Sequence, residues 1–134
     1  MGEHHPDVEV LKIVLQVDGK EPEEVTVLGN KDIHFEIPEG SEYFMTIHFT
    51  VSNNPLKEFK YKQEVKKAGF VVKSRDVYIG DEFLPREEPY VVEFEKDLTP
   101  SGFMFRGNFN CTSTYLANGE FLYAQDWTLT VSKK

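Results

Sequence analysis

One cysteine, Cys111, and one tryptophan, Trp127, occur in a chain of 134 residues. A lone cysteine excludes an internal disulfide and favours a reducing compartment, so a cytoplasmic address is expected. No CxxC, HExxH or GxSxG motif and no phosphate-cradling glycine loop is present. The usual sequence signatures of zinc, nucleophilic and nucleotide chemistry are therefore missing. Neither metal nor cofactor nor enzymatic activity is expected. No apolar run approaches the roughly 18–20 residues of a spanning helix, and no basic segment followed by an apolar one opens the chain. Stable membrane insertion is not expected. Positive charge is also short: 15 Lys and Arg against 23 Asp and Glu leave a net −8. Phosphate binding needs a basic surface, so nucleic acid is not the expected partner.

What is plentiful is aromatic: 11 Phe and 6 Tyr, residue types that suit a pleated, half-buried strand. Phe103, Phe105, Phe109 and Tyr115 fall on odd positions of one segment. Phe121, Tyr123, Trp127, Leu129 and Val131 fall on odd positions of the next, with Asn118-Gly119 between. Side chains alternate faces along a strand, so each run builds one apolar face. Asn-Gly tolerates the positive φ of a type I′ turn, which makes this a hairpin with a wide apolar wall.

The same period of two recurs upstream. Residues 8–17 form a long apolar strand, and residues 25–28 and 33–37 form short ones. Tyr43, Met45, Ile47, Phe49 and Val51 alternate with Thr46, His48 and Thr50, until Asn53-Asn54-Pro55 breaks the run. Phe59, Tyr61, Gln63 and Val65 alternate with Lys60, Lys62, Glu64 and Lys66, a strand with one wet face. Residues 70–79 continue as strand, residues 80–89 read as a loop, and residues 91–94 precede a second loop. About nine antiparallel strands with turn signals between them read as an all-β, immunoglobulin-like sandwich. A chain of this length makes one domain, residues 8–134 behind a short tail of residues 1–7, and buries about two-thirds of its unfolded surface.

Residues that carry chemistry elsewhere have plain readings here. Cys111 sits mid-strand among aromatics, where a free thiol behaves as a small hydrophobe. Asn110-Cys111-Thr112 matches the glycosylation sequon but lies within a strand with no secretory signal. His34 and His48 lie on different strands, and nothing in the sequence brings them together. Acidic residues gather at Asp81-Glu82, Glu87-Glu88, Glu93, Glu95 and Asp97. As a set they suit attraction of a basic peptide.

Several short motifs now fall into one order. They run Glu39-Gly40-Ser41-Glu42-Tyr43, Phe49-Thr50-Val51, Lys60-Tyr61-Lys62-Gln63, Gly69, Asp76 and Tyr78-Ile79-Gly80. Pro85-Arg86-Glu87-Glu88, Arg106-Gly107-Asn108-Phe109 and Trp127-Thr128-Leu129-Thr130-Val131 complete the series. In order and spacing the chain resembles the immunoglobulin-like domain of the Rho GDP-dissociation inhibitors. The resemblance implies a sandwich that holds the isoprenoid tail of a prenylated Rho-family GTPase between its sheets. Such a protein extracts its partner from membranes and keeps it soluble and GDP-bound, and a monomer is expected. Carried over by position, the isoprenoid wall falls on Leu15, Phe35, Pro55, Leu56, Val77, Met104, Cys111 and Trp127. The acidic contact to the partner's basic tail falls on Glu87, Glu88, Glu93, Glu95 and Asp97, on two loops beside the pocket mouth.

The chain departs from the family at Cys111, where a larger aliphatic residue is usual, at Val77, where Tyr is frequent, and at Gln125, where a second Trp is common. These changes reshape the pocket and leave farnesyl or geranylgeranyl open. Met104 and Cys111 have opposite strand parity, so they share a cavity only if Gly107 marks a bulge or the wall curves. A space between the sheets is expected near Phe35, Cys111 and Trp127. Seven residues before Val8 do not suffice for the family's regulatory arm, so this chain by itself is expected to slow GDP release poorly. Whether it is a fragment or a short form stays open. Two other readings compete: an immunoglobulin-like interaction module with a closed core, and a lipid carrier of the phosphodiesterase-δ type.

The acidic set makes a first prediction. Screening limits exposed charges to a reach of about 8 Å at physiological salt. Association of a basic prenylated peptide should slow as salt rises, while a neutral prenylated peptide should respond little. Stopped-flow association rates compare the two, and an equal response would remove the acidic residues from the mechanism.

Overall fold

Alternation of buried and exposed residues is the rule along nearly every long strand, and it stacks the inward side chains of two sheets into one core. The computed structural model describes residues 5–102 and 105–133. Among these, the strands in chain order are β1 (Val8–Val17), β2 (Glu23–Thr26), β3 (His34–Pro38), β4 (Glu42–Val51) and β5 (Leu56–Lys67). They continue as β6 (Phe70–Phe83), β7 (Arg86–Glu93), β8 (Asp97–Leu98), β9 (Gly107–Ala117) and β10 (Glu120–Ser132). One sheet runs β2-β1-β4-β7, with β8 also on β4; the other runs β3-β10-β9-β5-β6. The fold is an all-β immunoglobulin-like sandwich. No α-helix occurs among the described residues, and none of them forms a helix long and apolar enough to cross a membrane.

The hairpin of β9 and β10 closes as the sequence implies. Asn118 (φ 57°) and Gly119 (φ 73°) make its turn, both at the positive φ of a type I′ pair. Asn118 is held besides by the Lys57 N–H, which donates to its Oδ1 at 2.9 Å, and by its own N–H, which donates to the Lys57 carbonyl at 2.8 Å. The turn is thereby tied to the start of β5.

Four features differ from the sequence reading. The strand β10 carries a bulge between Phe121 and Tyr123, which shifts parity and leaves Phe121 59% exposed while Leu122 and Tyr123 are buried. Phe105 lies in the connection before β9, which starts only at Gly107, and Phe103 lies outside the described residues. The expected loop of residues 80–89 is mostly strand: β6 runs through Gly80 to Phe83, and β7 resumes at Arg86. Gly80 is there for space rather than for a turn, since a Cβ at that position would stand 2.6 Å from the Phe83 ring. Finally, β3 joins β10 in parallel, whereas the other strand pairs among the described residues are antiparallel.

Aromatic rings join the sheets. Phe49 on β4 meets Phe59 on β5 at 5.2 Å between centroids and Phe83 at 5.1 Å. Tyr61 on β5 meets Phe94 at 5.0 Å. Edge-to-face pairs of this kind contribute about 0.5–1.5 kcal/mol beyond their area. Phe59, fully buried, should therefore be costly to truncate: Phe59→Ala is expected to lose about 3–5 kcal/mol, while Phe121→Ser changes stability by no more than about 0.5 kcal/mol. Urea denaturation followed by Trp127 fluorescence reads both, and a large loss in Phe121→Ser would show that the bulge packs Phe121 inward.

Candidate functional site

At the centre of the β5-β9-β10 wall, an inward polar chain interrupts the apolar surface. The Trp127 indole N–H donates to Ser113 Oγ at 2.9 Å. Ser113 lies 2.7 Å from the Tyr61 hydroxyl, which in turn donates to Gln63 Oε1 at 2.8 Å. A carbonyl oxygen cannot donate, so the Tyr61 proton goes to Gln63 and the Ser113 proton to Tyr61. All four groups are buried, and each donor has its acceptor. Burial also pushes the Tyr61 hydroxyl well above the ordinary tyrosine range, which keeps it a neutral donor. The chain fixes the plane of Trp127, and Phe35 meets that ring edge-on at 5.6 Å and 88°.

Beside Trp127, toward the end of the sandwich that carries Tyr43 and Val131, lies an apolar slot between the sheets. Ile37, Met45, Val65, Phe109, Leu129 and Val131 line it, with Gln63 and Lys73 among the few polar groups. A second small space continues inward, walled by Phe35, Tyr61, Tyr115 and again Met45 and Trp127. Their volumes are about 30 Å³ and about 10 Å³. Ligand pockets commonly measure about 300–1,000 Å³, so occupancy by a lipid requires the walls to part. A wider groove of about 460 Å³ lies on the outer face of the same sheet. Asn110, Thr112, Asp126 and Thr128 make its floor polar, which does not suit a hydrocarbon.

In the connection from β8 to β9, a strap whose described residues are 99–102 and 105–106, Thr99, Pro100 and Phe105 line the mouth of the slot. One set of bonds holds this strap down, and a second holds β8 and the segment before it. Glu39, at the corner between β3 and β4, accepts the Gly102 N–H on Oε1 and the Arg106 Nε–H on Oε2, both at 2.8 Å. Thr99 is stitched to the same corner: its N–H and its hydroxyl donate to the Ser41 carbonyl, and its carbonyl accepts the Gly40 N–H. On the other side, Lys73 on β6 donates to Asp97 Oδ2 at 2.8 Å and to the Leu98 carbonyl at 3.1 Å. Arg75 donates to the Glu95 carbonyl. The Tyr43 hydroxyl donates to Asp97 Oδ2 at 3.1 Å. Burial would raise the Asp97 carboxyl, but the Lys73 ammonium, the Leu98 N–H and the Arg75 guanidinium outweigh it and hold it below the usual carboxylate range.

The chain belongs to the Rho GDP-dissociation inhibitor family. A family model described as RHO protein GDP dissociation inhibitor matches residues 1–134. The chain is similar to the Rho GDP-dissociation inhibitor of Schizosaccharomyces pombe, 29% identical over 94% of this chain and 64% of the relative. It is 30% identical to the Saccharomyces cerevisiae Rho GDP-dissociation inhibitor over 75% of this chain and 51% of the relative. With Rho GDP-dissociation inhibitor 1 of Bos taurus it shares 27% identity over 96% of this chain and 66% of the relative. The chain thus spans about half to two-thirds of the length of these Rho GDP-dissociation inhibitors.

Within this member of the family, the eight wall positions are spread along the sandwich. Trp127 lines both spaces and Phe35 the inner one. Cys111 sits next to them in the ladder, paired with Val65 and with Trp127; burial pushes its thiol up to about 12, so it stays an inert, small hydrophobe. Leu15 is buried and paired with Met45, and half-buried Val77 is paired with Tyr61. Pro55 and Leu56 lie at the far end of the core, where Leu56 pairs with Phe83. Nine residues at about 3.3 Å each separate Leu56 from Val65, so the structure does not bring these two to the slot. Met104 lies outside the described residues.

The acidic residues divide in the same way. Glu87, Glu88 and Glu93 stand on strand β7 rather than on a loop, and Asp97 on β8. The start of β7 pairs with Val51 and its end with Thr46, which sets Glu87 and Glu88 at the far end and Glu93, Glu95 and Asp97 toward the strap. The sequence reading missed Tyr43, Met45, Val65, Phe109, Leu129 and Val131 as lining, although all share the inward parity. It also gave no signal for the strap bonds of Glu39, Thr99 and Lys73, which join distant parts of the chain.

Ser113 is the shared member of the polar chain. Its replacement by Ala removes the acceptor of Trp127 and the donor to Tyr61, and leaving buried groups short of a partner costs about 1–3 kcal/mol. Ser113→Ala should lower the urea midpoint accordingly and alter the Trp127 emission of the folded state. Unchanged stability and emission would mean that water replaces the hydroxyl.

Proposed function

We propose that this chain is the lipid-carrying domain of a Rho GDP-dissociation inhibitor. It holds the isoprenoid tail of a Rho-family GTPase between its sheets, withdraws the partner from membranes and keeps it in the cytoplasm in the GDP-bound form. The chain acts as a binding protein rather than an enzyme, and as a monomer. Family membership supports the GTPase as partner. The observation that carries the lipid reading is the apolar slot, whose one long wall is oriented by a satisfied buried polar chain and whose mouth is closed by a strap instead of a strand ladder. We assign the tail to the space between Phe35, Met45, Trp127 and Leu129, with Leu15, Val77 and Cys111 behind them.

Magnitudes fit this role. Burying a prenyl chain contributes about 0.8 kcal/mol per CH₂. A carrier competes with the bilayer only by enclosing most of the tail, and association carries its own cost of about 4–15 kcal/mol. The walls must therefore open widely and then close over the lipid. Glu93, Glu95 and Asp97 lie near the strap, where a basic segment preceding the lipidated cysteine would pass. The small enclosed volume favours one other reading, an interaction module whose core stays shut.

A titration decides between them. A prenylated peptide of Rho-type C-terminal sequence should quench or shift Trp127 emission and bind at least about a hundredfold more tightly than the bare peptide. Equal affinity for lipidated and bare peptides would establish the closed module.

A further inference from the structure

The turn between β5 and β6 presents a chemistry that nothing in the slot requires. Ala68 (φ 53°) and Gly69 (φ 83°) close it in two residues, with Lys67 paired to Phe70 across it. The ladder then slips: Lys66 pairs with Val71, but Val65 pairs with Lys73, so Val72 is the extra residue of a bulge. A bulge interrupts the alternation of faces. As a result three consecutive apolar residues, Phe70, Val71 and Val72, are exposed, Phe70 by 75%. Folded proteins seldom leave contiguous large apolar side chains in water without a use for them.

Charge says what covers this tip. The chain carries a net −8, yet residues 60–76 hold Lys60, Lys62, Lys66, Lys67, Lys73 and Arg75 against Glu64 and Asp76, the latter opposite Lys62 in the ladder. Lys73 and Arg75 bind β8 and the segment before it. Lys60 and Lys62 are exposed on the outer face of β5, with half-buried Lys66 next along that face. Lys67 donates to the Arg106 carbonyl at 3.3 Å and lies over the Phe109 ring. An apolar tip backed by lysines is the arrangement that enters the interface of an anionic bilayer, with the lysines at headgroup level. A hairpin closed by a two-residue turn gives up little conformational freedom on docking. Val72 also lines the slot, with exposed Leu98 on β8 and Phe105 on the strap at its mouth.

We infer that the β5-β6 hairpin tip, Phe70 to Val72 with the lysines behind it, docks on anionic membrane lipid and sets the slot mouth against the bilayer. The docking follows from the hairpin's own chemistry; its use in lipid transfer rests on the carrier reading. The test uses the purified chain and vesicles of equal parts phosphatidylcholine and phosphatidylserine, with phosphatidylcholine alone as the neutral surface. Co-sedimentation should occur with the anionic vesicles only and should weaken as salt rises. Lys62→Gln with Lys66→Gln should weaken it by roughly tenfold or more, and Phe70→Ser with Val71→Ser should abolish it without loss of the folded Trp127 emission. Absence of binding, equal binding to neutral vesicles, or unchanged binding by both variants would overturn the inference. A change in self-association of the chain with Phe70→Ser and Val71→Ser, without lipid, would overturn it as well and make the tip a contact between copies. Prenyl-peptide affinity, measured without vesicles, stands apart: loss of one result leaves the other intact.

Discussion

The orientation of Trp127 depends on one buried hydroxyl. Ser113 takes the indole proton and passes its own to Tyr61, which donates to Gln63, so four side chains from β5, β9 and β10 are ordered by one directional chain. In a low-dielectric interior such a chain is worth having only when every member is satisfied. It is satisfied here, and no buried side-chain nitrogen or oxygen among the described residues lacks a partner. The benefit is a large aromatic ring held in one plane where it borders both spaces.

The slot and its cover follow different rules. Each wall is made of ladder-paired strands, so it moves as a whole sheet. The strap is held differently: the carboxylate of Glu39 takes Gly102 and Arg106, and Thr99 binds the backbone of Gly40 and Ser41. Local opening draws on the elements with the fewest such bonds. The division gives the surface that would recognise a lipid a continuous backbone ladder, and gives its cover side-chain and corner bonds.

How much of this was legible in the sequence depended on whether the signal was local. The period of two along β4, β5 and β9 placed Tyr43, Tyr61, Phe109 and Tyr115 inward without reference to any other part of the chain, and Asn118-Gly119 named its own turn. Bulges were not legible. The slips at Phe121 and at Val72 each reverse the facing of neighbours by one residue, and no residue type announces them. Gly80 misled for a physical reason: glycine serves both to turn a chain and to make room for a ring, and only the position of Phe83 separates the two. The family resemblance supplied Phe35 and Trp127 as wall residues, and both line the inner space. The same carry-over named Pro55 and Leu56 at the far end of the core, since order along a chain says nothing of distance across a sandwich. The bonds of Glu39 to Gly102 and Arg106 span more than sixty residues, beyond any pattern of spacing.

The Glu39 corner has a consequence for timing. A latch that closes in the same way over a full slot and an empty one contributes equally to both states and leaves the equilibrium between them untouched. It raises the barrier in each direction instead. In the proposed carrier, release of the Glu39 carboxylate from Gly102 and Arg106 would then bear on residence time, while the aromatic wall would set affinity. A protein built this way can vary how long it holds its load without changing what it holds.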